Sequence, residues 1–582
     1  MTKGALPMTG PKRKTAAAAV LTAVAVLIML RSLLVGLEID EEYALSLGYR
    51  LVSGDRLFYS MWEPHQLSAL PAAVLVALFL AVTGGTGGIL LFVRAVMLAA
   101  KAVLSLVFYR EMKSPLGRTH AWLLALGLFL YTPKWFLGPD YISQQFHFAV
   151  AAFLCFYPYY AGGCRRVRYI VPGAVFACLS FLAFPQSIPS AAVIAVGMAV
   201  LGVRRGEARL LGIPRGAVVF VLSCAGCAAA FLAWVLPGMG LGMLLERVGL
   251  ILHDPQYSFS AAERLSTLAG QAVTVARFLA LPLLLAAAAA LLLRLRRRTD
   301  DPVGAFLAWA GVLSTLKCTL RMFTDSNADM RQFLPVLLLA GAWAFRRSRG
   351  TVREPLFWLG FLPGVVAYLF ILRSTLLGLA PTFMYLTWPV FCGLAAMLSR
   401  APAGRIAGRA CLGAVLLFLA ATRLWCVLIT GWGPANFRDT PLRRIESGPA
   451  AGIWADTEAA DMQDALREAL EPYAGQKVLQ AIGLMHGLGF LEDDGTLEVA
   501  QSTVISGTDS DPRLIQYYTE LPEKLPDVIL YDCNEVRNMA AFHQWIETNL
   551  PIRERYPVRC GTAELEVLVV DSGASLDSSG AV

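Results

Sequence analysis

Residues Thr15–Leu37, TAAAAVLTAVAVLIMLRSLLVGL, and the stretch after them, Glu38–Gln66, EIDEEYALSLGYRLVSGDRLFYSMWEPHQ, decide the fold. A bilayer hydrocarbon core about 30 Å thick takes roughly 20 apolar residues in a helix, so the first stretch predicts a membrane-spanning helix. It follows a basic tail, residues 1–14, that ends in Lys12, Arg13 and Lys14. It is longer than the apolar region of a signal peptide and meets no small-residue cleavage site before Glu38, which makes it an uncleaved anchor. The second stretch is the longest polar run of the membrane half.

Working outward, the same apolar pattern recurs as far as Thr430 and then stops. The chain has 582 residues, 57% hydrophobic and 16% charged, with a mean hydropathy of +0.58. That is too apolar for a water-soluble globule and too long for one domain. Residues 15–430 therefore read as a helical membrane domain. Residues 431–582, with ordinary Asp, Glu and Pro content and no further spanning run, read as a separate soluble domain.

The formal charge of +8 does not indicate nucleic-acid binding. The basic residues form short clusters between apolar runs: Lys12–Lys14, Arg110–Arg118, Arg165–Arg168, Arg204–Arg215, Arg294–Arg298, Arg346–Arg353 and Arg400–Arg409. The positive-inside rule places all of these in the cytoplasm. About 40 to 90 residues separate successive clusters, room for two crossings each time, and a last crossing runs from Cys411 to Thr430. The expectation is about thirteen spans, with the N-terminus cytoplasmic and residues 431–582 extracytoplasmic. It requires that 67–82, which contains Pro71 and has no basic flank, lie in the outer interface instead of crossing.

The loop 38–66 then faces outward. Asp40, Glu41 and Glu42 open a helical pattern that ends near Gly54, and Asp40 is the expected N-cap. Two acids in the first turn suit the positive end of the helix dipole. A carboxylate cluster just beyond the first span is also where a lipid-linked substrate would present its head group.

Asp40 and Glu41 with Tyr43, then Gly54-Asp55, then Trp62-Glu63-Pro64-His65 and the helix after them form an arrangement that resembles the GT-C type glycosyltransferases. These are the membrane enzymes that use polyprenyl-phosphate sugars, and they include the protein mannosyltransferases and the aminoarabinose transferases of lipid A. Arg94 resembles an arginine that the family often carries in the next span, and Pro139-Asp140 resembles an acidic position in its second outer loop. The resemblance covers the first 160 residues best. One departure is Pro64-His65, where the family often has two prolines.

The resemblance implies displacement at the anomeric carbon of a sugar carried on a polyprenyl phosphate, with transfer to an envelope acceptor that the residues do not identify. Asp40 matches the catalytic aspartate and is expected to act as general base, with Glu41 as its helper. Tyr43, His65, Arg94 and Asp140 are expected around the substrate. The leaving phosphate calls for cations, and Lys317 and Arg321, four residues apart on one helical face, are candidates for contacting it. Their alternative is to snorkel or to pair with Asp325 and Asp329. Arg94 and Lys101 share one face of a span, where an intramembrane ion pair is the plainer account. His65, Asp140, His147 and His253-Asp254 could supply a divalent-cation site, but their spacing is not diagnostic. No other cofactor is expected.

In residues 431–582, helical and strand patterns alternate: a helix near Thr457–Tyr473, a strand at Lys477–Ile482, another at Asp527–Tyr531, a helix near Met539–Thr548 and a strand at Glu564–Val570. This predicts a small α/β domain. Its two cysteines, Cys533 and Cys560, could pair. Two rival functions remain open on the sequence: a transporter or lipid flippase, although no internal repeat is visible, and a non-catalytic factor of envelope polysaccharide assembly.

Overall fold

A computed structural model describes residues 10–571, apart from 135, 253–259, 323–330, 347–350, 352, 375–377, 400–401, 429–440, 474, 482–497, 502–510, 533–539 and 561–562. The first part is a helical bundle: α1 Gly10–Ser32, α2 Ile39–Val52, α3 Ala69–Thr83, α4 Ile89–Leu116, α5 Arg118–Leu130, α6 Tyr141–Ala161, α7 Ile170–Ala183, α8 Pro189–Arg204, α9 Arg215–Val235, α10 Gly240–Leu252, α11 Ala261–Leu295, α12 Pro302–Arg321 and α13 Leu334–Phe345. It continues with α14 Arg353–Ser374, which contains a π-helical turn at Phe357–Phe361, then α15 Pro381–Leu398, whose first turns are 3-10, and α16 Pro402–Leu428.

Among the described residues, ten helices are long and apolar enough to cross a membrane, and Arg118–Leu130, Val167–Ala183 and Leu334–Phe345 are shorter apolar helices. Their outward faces carry Leu27, Leu78, Val221, Leu284 and Leu295, all exposed. In water such a surface would be untenable, whereas lipid solvates it. The chain is a multi-pass membrane protein. Residues 66–83 are among the ten, so length and composition alone allow them to cross, and their interfacial placement is a proposal.

Helix α2 is a buried exception to the apolar rule. It packs along α3, and the approach is closest at Gly48, where a Cβ would lie 2.9 Å from Ala72 and the Ala73 backbone. Only glycine allows the helices so near.

The C-terminal part is an α/β domain. Strands β5 Lys477–Ala481, β6 Glu498–Gln501, β7 Val528–Asp532, β8 Ile552–Cys560 and β9 Ala563–Val570 form one mixed sheet of order β6-β5-β7-β9-β8. The chain enters through a hairpin, β3 Leu442–Arg444 and β4 Trp454–Asp456, and helices α17 Thr457–Leu470, α18 Asp511–Glu520 and α19 Ala540–Asn549 pack beside the sheet. A further two-stranded hairpin, β1 Arg209–Leu210 with β2 Ile213–Pro214, sits between α8 and α9. The pairing considered for Cys533 and Cys560 lies outside the described residues, since Cys533 is not among them.

Domain and bundle meet at two places. The entry hairpin is laid against the end of α1: Trp454 N–H donates to Leu34 O at 2.7 Å, and Gly36 N–H donates to Trp454 O at 2.8 Å. Ile445, Ala450, Ile453 and Ala455 share a core with Leu37, Leu45, Tyr49, Val76 and Val93. Further out, Trp62 of the loop is buried in the domain's own core with Tyr517, Tyr518 and Phe542. The loop 38–66 and the C-terminal domain therefore lie on the same side of the bundle.

Candidate active site

Helix α2 begins two residues earlier than its charges suggest. Glu38, not Asp40, is the N-cap, and its Oε2 accepts from Glu41 N–H at 3.1 Å. This corrects the expected cap. The reason is that the chain turns at Gly36 and is fixed there by Trp454, which brings Glu38 to the first free N–H groups. Asp40, released from capping, projects from the first turn.

Asp40 meets Lys134, whose ammonium donates to its Oδ2. The same ammonium stands 3.6 Å from Glu38 Oε1. Lys134 lies in the loop between α5 and α6, and that loop is held from behind. Lys101 donates to Tyr131 O, while Arg331 donates to Thr132 O at 3.2 Å and to Pro133 O at 2.8 Å. The loop ends at Asp140, the N-cap of α6, which accepts from the N–H groups of Ile142 and Ser143, both at 2.9 Å.

Glu38 and Asp140 are buried while Asp40 and Lys134 are half-buried, with electrostatic consequences. Burial pushes Glu38 up to about 8, with Asp40, Asp140 and Glu41 adding to the effect and Lys134 opposing it. Burial likewise raises Asp140 to about 6. Lys134 is driven upward by Glu38, Asp40 and Asp140 against its own burial, so it remains an ammonium at any physiological pH. His65 is pushed down to about 4 by burial and is neutral; its ring stacks on Tyr141 at 3.8 Å between centroids. Gln144 ties the two loops together by donating to Ser68 O at 2.8 Å and to Pro139 O.

Glu41 turns away from this group and is gripped by Arg94: Nε donates to Oε1 at 2.8 Å and Nη2 to Oε2 at 2.6 Å. The rest of the guanidinium donates to Leu33 O at 3.1 Å and Gly36 O at 2.8 Å. Arg94 is thus an internal brace for the start of α2. Tyr43 lies one turn beyond Asp40 and packs with Leu47, Leu57 and Met61. Lys317 and Arg321 sit elsewhere, both over the ring of Phe278 on α11, with Lys317 donating to Phe278 O at 2.6 Å. Asp325 and Asp329, considered as their partners, lie outside the described residues. The structure therefore brings together Asp40, His65 and Asp140, and joins Glu41 to Arg94 behind them.

Next to the Lys134 loop is a narrow cavity of about 50 Å³, lined by Tyr131, Pro133, Gln145, Ser180, Tyr385 and Trp388 among others. Tyr385 lies within electrostatic reach of Asp40, Lys134 and Asp140. The cavity is mostly apolar; none of the four charged residues lines it, and the group adjoins it through Pro133, the neighbour of Lys134.

The described residues of this group do not by themselves assemble a divalent-ion site. Among the described residues no three His, Cys, Asp or Glu side chains are placed to hold one. Where carboxylates do converge, the ammonium of Lys134 already stands between them. His253 and Asp254 lie outside the described residues.

Across the α2 loop, Arg50 is fully buried and joins Asp55 at 2.6 Å, Glu63, Ser60 O at 2.6 Å and Tyr517 Oη at 3.5 Å. Lys524 reaches the other oxygen of Asp55 at 2.6 Å. Arg247 of α10 lies 4.1 Å over the Trp62 ring and pairs with Glu520.

Lys134 and Glu38 are the residues that sequence reading misses. A signal exists for Lys134: it is a lone basic residue in YTPKWFLGPD, apart from the basic clusters that the charge rule assigns to the cytoplasm. Glu38 carries no such signal, because capping rules favour Asp over Glu.

No family model matches the chain, and no curated protein matches it at a significant level. Among solved structures, it is similar to ArnT from Cupriavidus metallidurans in the apo state, with a TM-score of 0.49 and 14% identity over 97% of this chain and 100% of that one. The same protein bound to undecaprenyl phosphate gives a TM-score of 0.41 at 14% identity, over 97% of this chain and 100% of that chain. The oligosaccharyltransferase AglB from Archaeoglobus fulgidus, in complex with an inhibitory peptide and a dolichol-phosphate, gives 0.41 at 13% identity, over 97% of this chain and 75% of that one.

Proposed function

We propose that this chain is a GT-C type glycosyltransferase that moves a sugar from a polyprenyl-phosphate donor to an envelope acceptor at the outer face of the membrane. In this reading the N-terminus is cytoplasmic, and loop 38–66 and the C-terminal domain are outside. The observation that carries it is a buried polar group, Asp40 with Lys134, Glu38 and Asp140, adjoining an apolar cavity. A lipid-linked sugar needs both environments at one place.

The reaction forms a bond between the acceptor oxygen and the anomeric carbon and breaks the bond to the phosphate oxygen, which leaves with the electron pair. Asp40 takes the acceptor proton, a contribution of about 10² to 10⁴ in rate. Glu41, gripped by Arg94, holds the first turn of α2 and so positions Asp40. His65, stacked on Tyr141, and Asp140, as cap of α6, shape the substrate side. Lys317 and Arg321 remain candidates for guiding the phosphate from the side of α11.

The test is Asp40→Asn in the purified full chain, with membrane insertion and thermal stability checked, followed by transfer from a polyprenyl-phosphate sugar. Loss of turnover on the order of 10²-fold or more is expected; turnover equal to the parent removes Asp40 as the base.

A further inference from the structure

We propose that Lys134 is the side chain that takes the donor phosphate, and that in doing so it releases Asp40 to act as base. The proposal rests on the glycosyltransferase reading and specifies how its site is switched on.

Three observations converge on this residue. First, Lys134 is placed with care by the fold. The carbonyls of the three residues before it are each held by a basic side chain, Tyr131 by Lys101 and both Thr132 and Pro133 by Arg331. A loop so fixed delivers the next side chain to a defined place.

Second, the ammonium is shared unequally. It donates to Asp40, while Glu38 Oε1, buried and 3.6 Å away, has no hydrogen-bond partner. A buried carboxyl oxygen left without a hydrogen-bond partner is costly, and it marks a spot to which the ammonium can swing without leaving the group. Asp40 is thus not the sole holder of Lys134.

Third, Lys134 borders the cavity through Pro133, and its side chain retains 14% exposure. An anionic head group whose tail lies among Tyr385, Trp388 and the neighbouring apolar wall would come close to this cation, with Arg331, which stacks on the Tyr131 ring of the same cavity, as its neighbour. Lysine binds phosphate as a compact point charge. Lys317 and Arg321, in contrast, face the ring of Phe278.

The consequence is an interlock. Without donor, Oδ2 of Asp40 is engaged by Lys134, and that oxygen is not open to an acceptor hydroxyl. When a phosphate draws the ammonium away, Asp40 is freed and the acceptor proton can pass to it. No proton is lost in the exchange, since Lys134 stays an ammonium throughout.

The experiment measures binding of a polyprenyl phosphate to the purified full chain in mixed micelles, with the corresponding polyprenol as the phosphate-free control and inorganic phosphate as competitor. The parent should prefer the phosphate over the alcohol by about tenfold or more. Lys134→Gln should abolish that preference, and Lys134→Arg should keep most of it. The double variant Asp40→Asn, Lys134→Gln leaves no unpaired charge at the pair and serves if the single variant does not fold; it too should show no preference. Inorganic phosphate that displaces the lipid at millimolar levels would assign the preference to the phosphate group itself, as proposed. A parent without preference, a Lys134→Gln chain that keeps it, or loss of preference in Lys317→Ala with Arg321→Ala but not in Lys134→Gln would each overturn the proposal. Sugar transfer by Asp40→Asn reads the enzyme assignment separately, because the binding measurement does not depend on turnover.

Discussion

Arg94 and Glu41 are joined end to end, two nitrogens to two oxygens at 2.8 and 2.6 Å, across 53 residues of sequence. Both are buried, and the remaining guanidinium donors are taken up by Leu33 and Gly36 carbonyls. Such a planar fork fixes direction as well as distance, and lysine cannot reproduce it. Since Glu41 follows Asp40 directly, the pair sets the orientation of the first turn of α2.

Arg94→Lys should therefore lower kcat on the order of 10²-fold while KM for the donor stays close to the parent value, because a displacement near 1 Å at the base is enough for that loss. Steady-state kinetics separate the two constants. A raised KM with unchanged kcat would instead assign Arg94 to donor binding.

How much of this was legible in the sequence follows from what each feature depends on. The membrane bundle is readable because spanning length and apolarity are local properties of 20-residue windows. Asp40 stands out in the sequence because it opens the acidic first turn of the loop after the first span. The partner of Asp40 does not, since Lys134 is 94 residues away and only the fold of the α5–α6 loop onto the start of α2 brings it there. In the C-terminal domain, β8 is hidden for a different reason. IRERYPVRC contains alternating charges and Pro557, and it forms the sheet edge beside β9, where one face stays wet and no apolar run is needed.

Arg50 offers a second prediction, on the coupling of loop and domain. It neutralises Asp55 and Glu63 in a buried site, and Arg50 with Lys524 holds Asp55 below its ordinary range against its own burial. Arg50→Met strands these buried carboxylates, and breaking such a pair costs about 3–5 kcal/mol. Trp62→Ala, which empties an aromatic site in the domain core, should cost a similar amount, about 3–5 kcal/mol. Thermal unfolding in detergent checks both. Limited proteolysis should also cut either variant between bundle and domain faster than the parent.

Glu38 predicts a pH dependence. Its folded value, about 8, lies above its ordinary 4.5, so between these limits the folded chain holds a proton that the unfolded chain has released. Stability from this group is complete at low pH and is lost as pH rises toward 8. Asp140, raised to about 6, has the same sign over a lower window. Between about pH 6 and 8 the slope thus belongs mainly to Glu38, and Glu38→Gln should flatten the fall of Tm there. A variant with the parent's slope would place the titration on another group.

Gly138 tests the contact between the Lys134 loop and α2. A Cβ at this position would lie 2.7 Å from Glu41 Cβ and 2.9 Å from its Cγ. Neither atom can yield easily, because Arg94 grips the carboxylate beyond them. Gly138→Ala must instead push the loop away from the start of α2 and draw Lys134 off Asp40. The expected cost is about 1–3 kcal/mol of stability from overpacking, with a fall in transfer rate of about tenfold or more from the displaced pair. Gly226→Ala, inside α9, is the control, since a Cβ there meets nothing within 4 Å; its Tm should not fall below the parent's and its rate should match. Equal behaviour of the two variants would show that the loop and α2 are not held at this distance in the working protein.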